Sequence, residues 1–358
     1  MLDVFFISPI ILSHIPRRVK YHHAPRVEAP ADGRNGMVGG RDSYFASHFL
    51  MPKENPVTET ATTDEGWPHS WQDRAVWALE LELSMRGAGF TWTSTDVRHT
   101  RKTWMPTVGN RIHSILLHVL PVLAGCWGII RWIYIGYISE EKGEFDDLQF
   151  GLQLLLTAAL GGFLMSAFSL GHSLFAILLS PLSPHPLAYF PPLYTSRVWS
   201  LTSVRGFWSY GWHRLFSRLF LVYGVWPGEW VERKIMGKGP DEPADVGKVV
   251  GGFVSSAFVH SFASWTVHGG IVKDASGEAR FFAGCGIAVV VEELVKRIAM
   301  KSRRKQKQEG ALDKEFRLDR WYDGVIGRVW WIGVLLYVGR NFARGWVKAG
   351  LVSEMSGL

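Results

Sequence analysis

The apolar positions of this chain are gathered into long blocks that polar stretches separate, and many of the 17 tryptophans stand at the block ends. A helix of about 20 apolar residues is long enough to cross the hydrocarbon layer of a bilayer, and aromatic residues favour its interfaces. The pattern therefore predicts five membrane-spanning helices, at residues 115–137, 150–179, 249–267, 281–295 and 325–342. Because 150–179 exceeds one crossing, it is either long and tilted or broken near Gly171 and His172.

The residues before the first block are mostly polar, with proline and glycine spaced through their first half. Such a composition disfavours a packed core. Residues 4–12 are a short apolar run, which we expect to be an interfacial anchor or part of a longer segment. The spacing of apolar residues predicts a helix over 70–85. Two parts are thus predicted: a polar, partly disordered N-terminal region with a short apolar N-terminus at 1–112, and a membrane-embedded domain at 113–349.

Charge along the chain follows the flanks of the apolar blocks. The net charge is +7, with basic residues concentrated in 197–238 and 296–307, whereas the loop 139–147 is acidic. Cytosolic loops of membrane proteins carry the excess of Lys and Arg. Alternation through five crossings places both basic regions in the cytosol and the acidic loop in the lumen. Since membrane insertion explains the charge, we expect a lipid bilayer as partner, and no nucleic acid.

The two cysteines and the histidines form no pattern that predicts a metal site. Cys126 and Cys285 both lie inside apolar blocks, without zinc spacing or a disulfide framework. We expect both to be small buried hydrophobic residues.

His260 stands inside the third block, where no other charged or titratable side chain occurs between 249 and 267. An ionisable group at that depth is costly and usually marks a functional interior. Burial among apolar side chains disfavours the imidazolium, so we expect a neutral ring that can accept a proton. Two interpretations follow: a general base within the membrane, or a histidine hydrogen-bonded between helices.

An aromatic and basic region precedes that block. The Pro-Pro pair at 191–192 ends any preceding helix, and Arg205, Trp208, Trp212 and Phe216 then follow helical spacing. A helix at the interface would place its aromatic rings in lipid and its arginines near phosphates. Arginines there also suit a phosphate-bearing cosubstrate. A plain interfacial helix and a cosubstrate entry both remain open.

Several segments, in order along the chain, resemble motifs of the wax synthase-like family of membrane-bound O-acyltransferases. Residues 190–194 (F-P-P-L-Y) resemble its W-P-P-L-F element, and 205–213 (R-G-F-W-S-Y-G-W-H) its signature R-x-F-W-x-x-x-W-H. Residues 256–260 (S-A-F-V-H) are similar to its S-G-x-x-H element, with alanine for the glycine. Weaker likenesses are found at 86–92, at 287–295 with its acidic pair, and at 327–330.

The resemblance implies an all-α, multi-pass transmembrane helical protein with an interhelical reaction chamber. It implies His260 as the catalytic base, with Arg205, Trp208, Trp212 and His213 shaping the entry of an acyl-CoA. His213 either polarises the thioester or binds the acyl-CoA, or it has a structural role at the interface. The likeness at 86–92 is to a run found in the family's fungal branch of secondary-metabolite acetyltransferases. That resemblance implies acetyl-CoA as cosubstrate, no permanently bound cofactor, a small hydrophobic alcohol of terpenoid type as acceptor, and the endoplasmic reticulum as location.

Some features of the sequence are also compatible with other functions. A wax-ester synthase using long-chain acyl-CoA and a fatty alcohol, or a non-catalytic membrane protein, would show the same apolar blocks. The H-x-x-x-D string at 69–73 has no D-F-G-W-G partner, and neither G-x-S-x-G nor H-E-x-x-H occurs. Helix-end ion pairs with Lys296 and Arg297 are the expected role of Glu292 and Glu293.

Overall fold

The computed structural model of the chain describes Trp71 and residues 108–139, 142–179, 193–194, 200–212, 215–239, 241–267, 276–308 and 321–357. Apart from Trp71 and 178–179, these residues belong to one compact unit, formed by 108–177 and 192–358. They form helices joined by turns, and no strand occurs among them, which confirms the predicted all-α class. The division at residue 112 remains a prediction, because residues 1–107 except Trp71 lie outside the described residues.

Eight helices are used in the description below, and three of them are composite. In chain order they are α1 (Val108–Ile138), α2 (Phe150–Leu179), α3 (204–211), α4 (217–236), α5 (Asp245–Val267), α6 (Ser276–Gln308), α7 (Trp321–Lys348) and α8 (Leu351–Ser356). Helix α1 joins Val108–Ser114, Ile115–Val119, Leu120–Ile133 and Tyr134–Ile138; α3 joins Val204–Gly206 and the π-helical Phe207–Gly211; α4 joins Ser217–Phe220, Leu221–Val225 and Trp226–Met236.

Three helices in the described part of the chain are long and apolar enough to cross a membrane: Val108–Ile138, Phe150–Leu178 and Asp245–Thr266. They correspond to the first three predicted spans. Helix α2 continues without interruption past Gly171 and His172, so the alternative of a break there is wrong. The last two predicted spans lie within α6 and α7, which have charged residues inside their apolar stretches and are not among the three.

The outer surfaces of these helices are apolar, as a bilayer requires. On α5, Val254 and Phe258 are 61% and 70% exposed, and Leu116 on α1 is 55% exposed. In water such a surface would favour association or aggregation, whereas lipid chains solvate it. The exposed side chains therefore support a membrane protein independently of helix length.

Contacts between helix ends agree with the order of the predicted loops. Helix α6 packs against both α5 and α7. Arg297 near the end of α6 contacts Asp245 at the start of α5 at 3.2 Å, and Arg344 near the end of α7 donates to Asp146 at 2.7 Å. The predicted cytosolic ends of α5 and α6 thus meet, as do the predicted lumenal loop 139–147 and the C-terminal part of α7.

One core joins α1, α2, α7 and α8, and we call it the aliphatic cluster. Its buried members are Ile130, Ile133, Tyr134, Ile138, Phe145, Leu148, Leu156, Ala159, Leu160, Ala343 and Val352. Polar side chains at its edges bond to carbonyl groups: the Trp127 indole donates to Met355 at 2.7 Å, and Gln153 donates to Leu148 at 2.9 Å. Burial of apolar area with satisfied edges is the arrangement of a stable scaffold.

Helix α4, which the sequence analysis did not predict, lies against α5 at backbone contact distance. A β-carbon at Gly224 or Gly228 of α4, or at Gly247 or Gly251 of α5, would overlap a backbone carbonyl of the facing helix. Two G-x-x-x-G pairs thus face each other, and small residues at this spacing allow close packing of membrane helices. The two glycine pairs were the sequence signal for α4.

The chain from 200 to 236 enters and leaves the helix bundle at the same end. It enters through α3, where the Val204 N–H donates to Glu292 near the charged end of α6. It returns along α5 as α4, where Glu232 accepts from the Gly247 N–H near the start of α5. The prediction of one helix through Arg205 and Phe216 is wrong, because the backbone turns to an extended conformation at Trp212, where φ is −96° and ψ is 159°.

Candidate active site

The short helix α3 is held by hydrogen bonds at its first turn. The Ser203 hydroxyl accepts from the Gly206 N–H at 2.8 Å and caps the helix. The Glu292 carboxylate, 7% exposed, accepts from the Val204 N–H at 2.7 Å. A carboxylate bonded to a helix N-terminus is favoured by charge as well as by geometry. These contacts fix α3 against α6.

The two adjacent glutamates of α6, Glu292 and Glu293, form ion pairs with different partners. Glu292 bonds Lys296 of its own helix at 2.6 Å, which confirms the predicted helix-end ion pair. Glu293 bonds Arg205 of α3 at 2.9 Å, and Arg297 pairs with Asp245, so the expected Glu293–Arg297 pair is wrong. The Arg205 side chain stays 25% exposed beside Glu293. One guanidinium N–H group is engaged there, and an arginine has five.

The start of α7 packs against residues 201–207, at the beginning of the 205–213 motif. A β-carbon at Gly327 of α7 would overlap the Thr202 carbonyl, so glycine permits this approach. The buried Trp331 indole donates to the Leu201 carbonyl at 2.9 Å. Its ring stacks on Phe207 with centroids 5.5 Å apart and planes 16° apart. The weak likeness at 327–330 therefore lies next to a residue, Trp331, that packs on the 205–213 signature.

Trp208 is the centre of a set of ring contacts that we call the aromatic cluster. Its ring lies within 6.0 Å, between centroids, of each of these side chains: Phe207, Trp212, Phe253, Phe281 and Phe282. The Cys285 thiol is fully buried, as expected, and faces the Trp208 indole, whereas the expectation that Cys126 is buried is wrong, because that side chain is partly exposed. The buried Trp208 N–H points at the Cys285 thiol, which is a weak acceptor. Trp208 thereby joins α3 to both α5 and α6.

His260 on α5 reaches this cluster through Phe282 of α6. The imidazole stacks on the Phe282 ring with centroids 4.7 Å apart and planes 20° apart. Phe282 is 3% exposed, and its ring also contacts the Trp208 ring, with centroids 5.5 Å apart. Because the stack covers a face of the imidazole, the two ring nitrogens of His260, which lie on the ring edge, remain available for proton transfer. One buried phenylalanine thus connects the candidate base to the 205–213 motif.

Tyr194 extends the aromatic cluster beyond Trp212. Its ring is tilted against Trp212, with centroids 6.1 Å apart and planes 58° apart. The phenol oxygen is buried without a hydrogen-bond partner among the described residues. Burial raises the pKa of the Tyr194 phenol above its usual range. The phenol is therefore neutral and carries a proton at physiological pH.

The structure brings together four of the five predicted site residues. Arg205, Trp208 and Trp212 lie on or next to α3, and His260 joins them through Phe282. His213 lies outside the described residues, as do residues 86–92 and the Pro-Pro pair. In the described ranges no three His, Cys, Asp or Glu side chains are grouped as metal ligands. Sequence reasoning missed Phe282, which lies near the start of α6 and has no motif of its own.

Comparison with known protein families gives a match that covers this site. No curated protein and no solved structure matches the chain. Residues 190–284 match the model of a protein family, and that segment contains Tyr194, α3, α4, α5 and the start of α6 through Phe282. The family is the membrane bound O-acyl transferase family, and the part of the chain that carries the candidate site is similar to it.

Proposed function

We propose that this chain is a membrane-bound O-acyltransferase that moves an acetyl group from acetyl-CoA to a hydroxyl of a terpenoid-type secondary metabolite, at the endoplasmic reticulum. One observation carries the proposal: His260 stacks on Phe282, and Phe282 contacts Trp208 of the 205–213 motif. The likeness of 190–284 to the membrane bound O-acyl transferase family supports the reaction type. The apolar spans and exposed apolar surface support the membrane setting.

The proposed reaction needs one proton acceptor. A neutral His260 nitrogen takes the proton of the acceptor hydroxyl as its oxygen attacks the thioester carbonyl carbon. The tetrahedral intermediate collapses by breaking the carbon–sulfur bond. The CoA sulfur then takes the proton from the imidazolium, which leaves an ester, free CoA and a neutral histidine. A site shielded from water by aromatic rings also slows hydrolysis of the thioester.

The remaining predicted residues have roles on the donor side of this proposal. Arg205 keeps N–H groups beyond the one that bonds Glu293, and these suit a phosphate of acetyl-CoA. Trp208 and Trp212 provide flat apolar surface next to the reacting groups. His213 is proposed to bind the acyl-CoA or to polarise the thioester. An interhelical reaction chamber that admits acetyl-CoA from the cytosolic end belongs to the same proposal.

The test is acyl transfer by His260→Ala in microsomes. We incubate wild type and variant with labelled acetyl-CoA and a panel of terpenoid alcohols, and measure labelled ester. Loss of the base is expected to lower the rate by about 10²–10⁴-fold while membrane insertion is unchanged. His118→Ala is the matched control, because His118 is also a histidine of an apolar helix but is exposed on α1. We expect its activity to equal that of the wild type.

Two outcomes would contradict the proposal in different ways. Retained turnover by His260→Ala would remove the assigned base. Ester formed from palmitoyl-CoA and a fatty alcohol, with none formed from acetyl-CoA, would replace acetyl transfer with wax-ester synthesis.

A further inference from the structure

The Tyr194 side chain is fixed in place at the edge of the aromatic cluster. Its neighbour Leu193 is 5% exposed and anchors the backbone. The Tyr194 ring leans on Trp212, and Trp212 contacts Trp208 with centroids 6.0 Å apart. The hydroxyl is therefore held by its ring and has little freedom to seek another partner.

The Tyr194 hydroxyl makes no hydrogen bond that would stabilise the fold within the described part of the chain. Its oxygen is buried and bonds to none of the described residues. Buried polar groups in proteins are nearly always hydrogen-bonded, because an unpaired one loses its water without compensation. A phenylalanine would pack equally well and avoid this cost.

Two other buried polar atoms, the Trp208 N–H and an Asp245 carboxylate oxygen, have different surroundings. The Trp208 N–H faces the Cys285 thiol, and Asp245 bonds Arg297 through its second carboxylate oxygen. The Tyr194 hydroxyl is a protonated donor, as its burial requires. A donor in this position calls for an acceptor that arrives with a ligand. Both substrates of an acyl transfer bring one: the donor has a carbonyl oxygen and the alcohol has its hydroxyl oxygen.

We infer that the Tyr194 hydroxyl donates a hydrogen bond to an acceptor oxygen of a bound substrate, and so contributes to substrate choice. The inference rests on the proposed function, because it takes the ligand to be the acyl donor or the alcohol.

Tyr194→Phe is a clean test, since it removes one oxygen that has no partner among the described residues. A merely structural oxygen of this kind leaves catalysis unchanged on removal. We expect the Tm of the purified variant to equal or exceed that of the wild type. The KM for one substrate should rise by about three- to tenfold, the ratio that loss of one neutral hydrogen bond produces. A higher KM for acetyl-CoA identifies the donor carbonyl as the acceptor, and a higher KM for the alcohol identifies the alcohol oxygen.

Tyr134→Phe is the control, because Tyr134 is a buried tyrosine of the aliphatic cluster, at 8% exposure. Its kinetic constants should match those of the wild type. Unchanged KM values for both substrates in Tyr194→Phe would overturn the inference, and so would a lowered Tm, because that would reveal a partner within the protein. If the wild type itself neither binds acetyl-CoA nor transfers an acyl group, the proposed function fails together with the inference. If the wild type transfers the acyl group and Tyr194→Phe has the same kinetic constants, only the inference fails.

Discussion

The aliphatic cluster and the aromatic cluster use buried side chains in opposite ways. In the aliphatic cluster, fully buried side chains such as Ile130, Ile133 and Leu156 pack together, and the polar groups at the edge bond to carbonyls. The aromatic cluster contacts the titratable ring of His260 and the Tyr194 ring, whose hydroxyl has no partner among the described residues, and the Arg205–Glu293 ion pair lies on the same helices. A scaffold minimises unsatisfied polar groups. A region that keeps them is suited to contact something else, and here that region carries the family likeness.

The helices of the protein carry two kinds of glycine, which differ in what lies next to them. Helix α1 has Gly125 and Gly128 with no other atom near the position of a β-carbon. On α5, Gly251 meets the backbone of α4 at that position. The same residue type is thus incidental in one helix and required in the other. Position relative to a neighbouring helix, and not residue type, decides the consequence of a substitution.

The largest expected effect in this comparison comes from placing alanine at both kinds of glycine. In Gly251→Ala the new methyl group would overlap the Gly224 carbonyl and force α4 from α5, at a cost of about 1–3 kcal/mol. Gly128→Ala meets open space and should stabilise its helix by up to about 1 kcal/mol. Thermal unfolding in detergent measures both.

Equal stability of these two alanine variants would show that α4 does not pack on α5 as described. Acyl transfer offers a second readout, because α4 supports the helix that carries His260. We expect Gly251→Ala to lose activity along with stability, and Gly128→Ala to keep it.

A smaller effect is expected from the ring that positions the candidate base. Phe282→Leu removes the stack under His260, and we expect kcat to fall by about 2- to 10-fold, from a stacking energy of about 0.5–1.5 kcal/mol. Phe281→Leu is the neighbouring control: Phe281 contacts Trp208, Phe282 and Phe342. Steady-state kinetics should show the larger loss of kcat in Phe282→Leu, with similar KM values in both. A larger loss in Phe281→Leu would count against the stack as the positioning contact.

The smallest effect concerns acid stability at the junction of α4 and α5. Burial by itself raises the pKa of Glu232, but hydrogen bonds from Lys238 and the Gly247 N–H, with nearby positive charges, outweigh it and hold the pKa below 4.5. A carboxyl with a lowered pKa in the folded state stabilises the fold above its unfolded pKa, and the stabilisation is lost as pH falls through the folded value.

Tm measured against pH, for wild type and Glu232→Gln, tests this contribution. The wild type should be the more stable of the two near pH 7, and the gap should narrow below about pH 4.5 as Glu232 takes up its proton. A gap that stays constant down to pH 3 would indicate that the carboxylate charge is not what holds the junction.

Much of the fold and part of the site follow from local pattern. Long apolar blocks predicted α1, α2 and α5 because helix length and bilayer thickness must match. His260 was recognisable because an ionisable residue in such a block is rare. Helix α4 was not predicted, because charged residues such as Glu229 and Arg233 interrupt its apolar pattern. The bend at Trp212 was not predicted either, because the helical spacing of side chains continues past it. Phe282 is one phenylalanine among 21, and only its neighbours distinguish it.

By itself, the sequence determined where the long apolar helices form, which ends carry positive charge, and which histidine stands alone among apolar residues. These properties depend on residues close together in the chain, so they can be recognised from spacing and composition. The tertiary structure decided what lies beside what: Glu293 with Arg205, Trp331 with Phe207, and His260 on Phe282. Such contacts join residues far apart in the chain, and they are set by how helices pack, which no local pattern specifies.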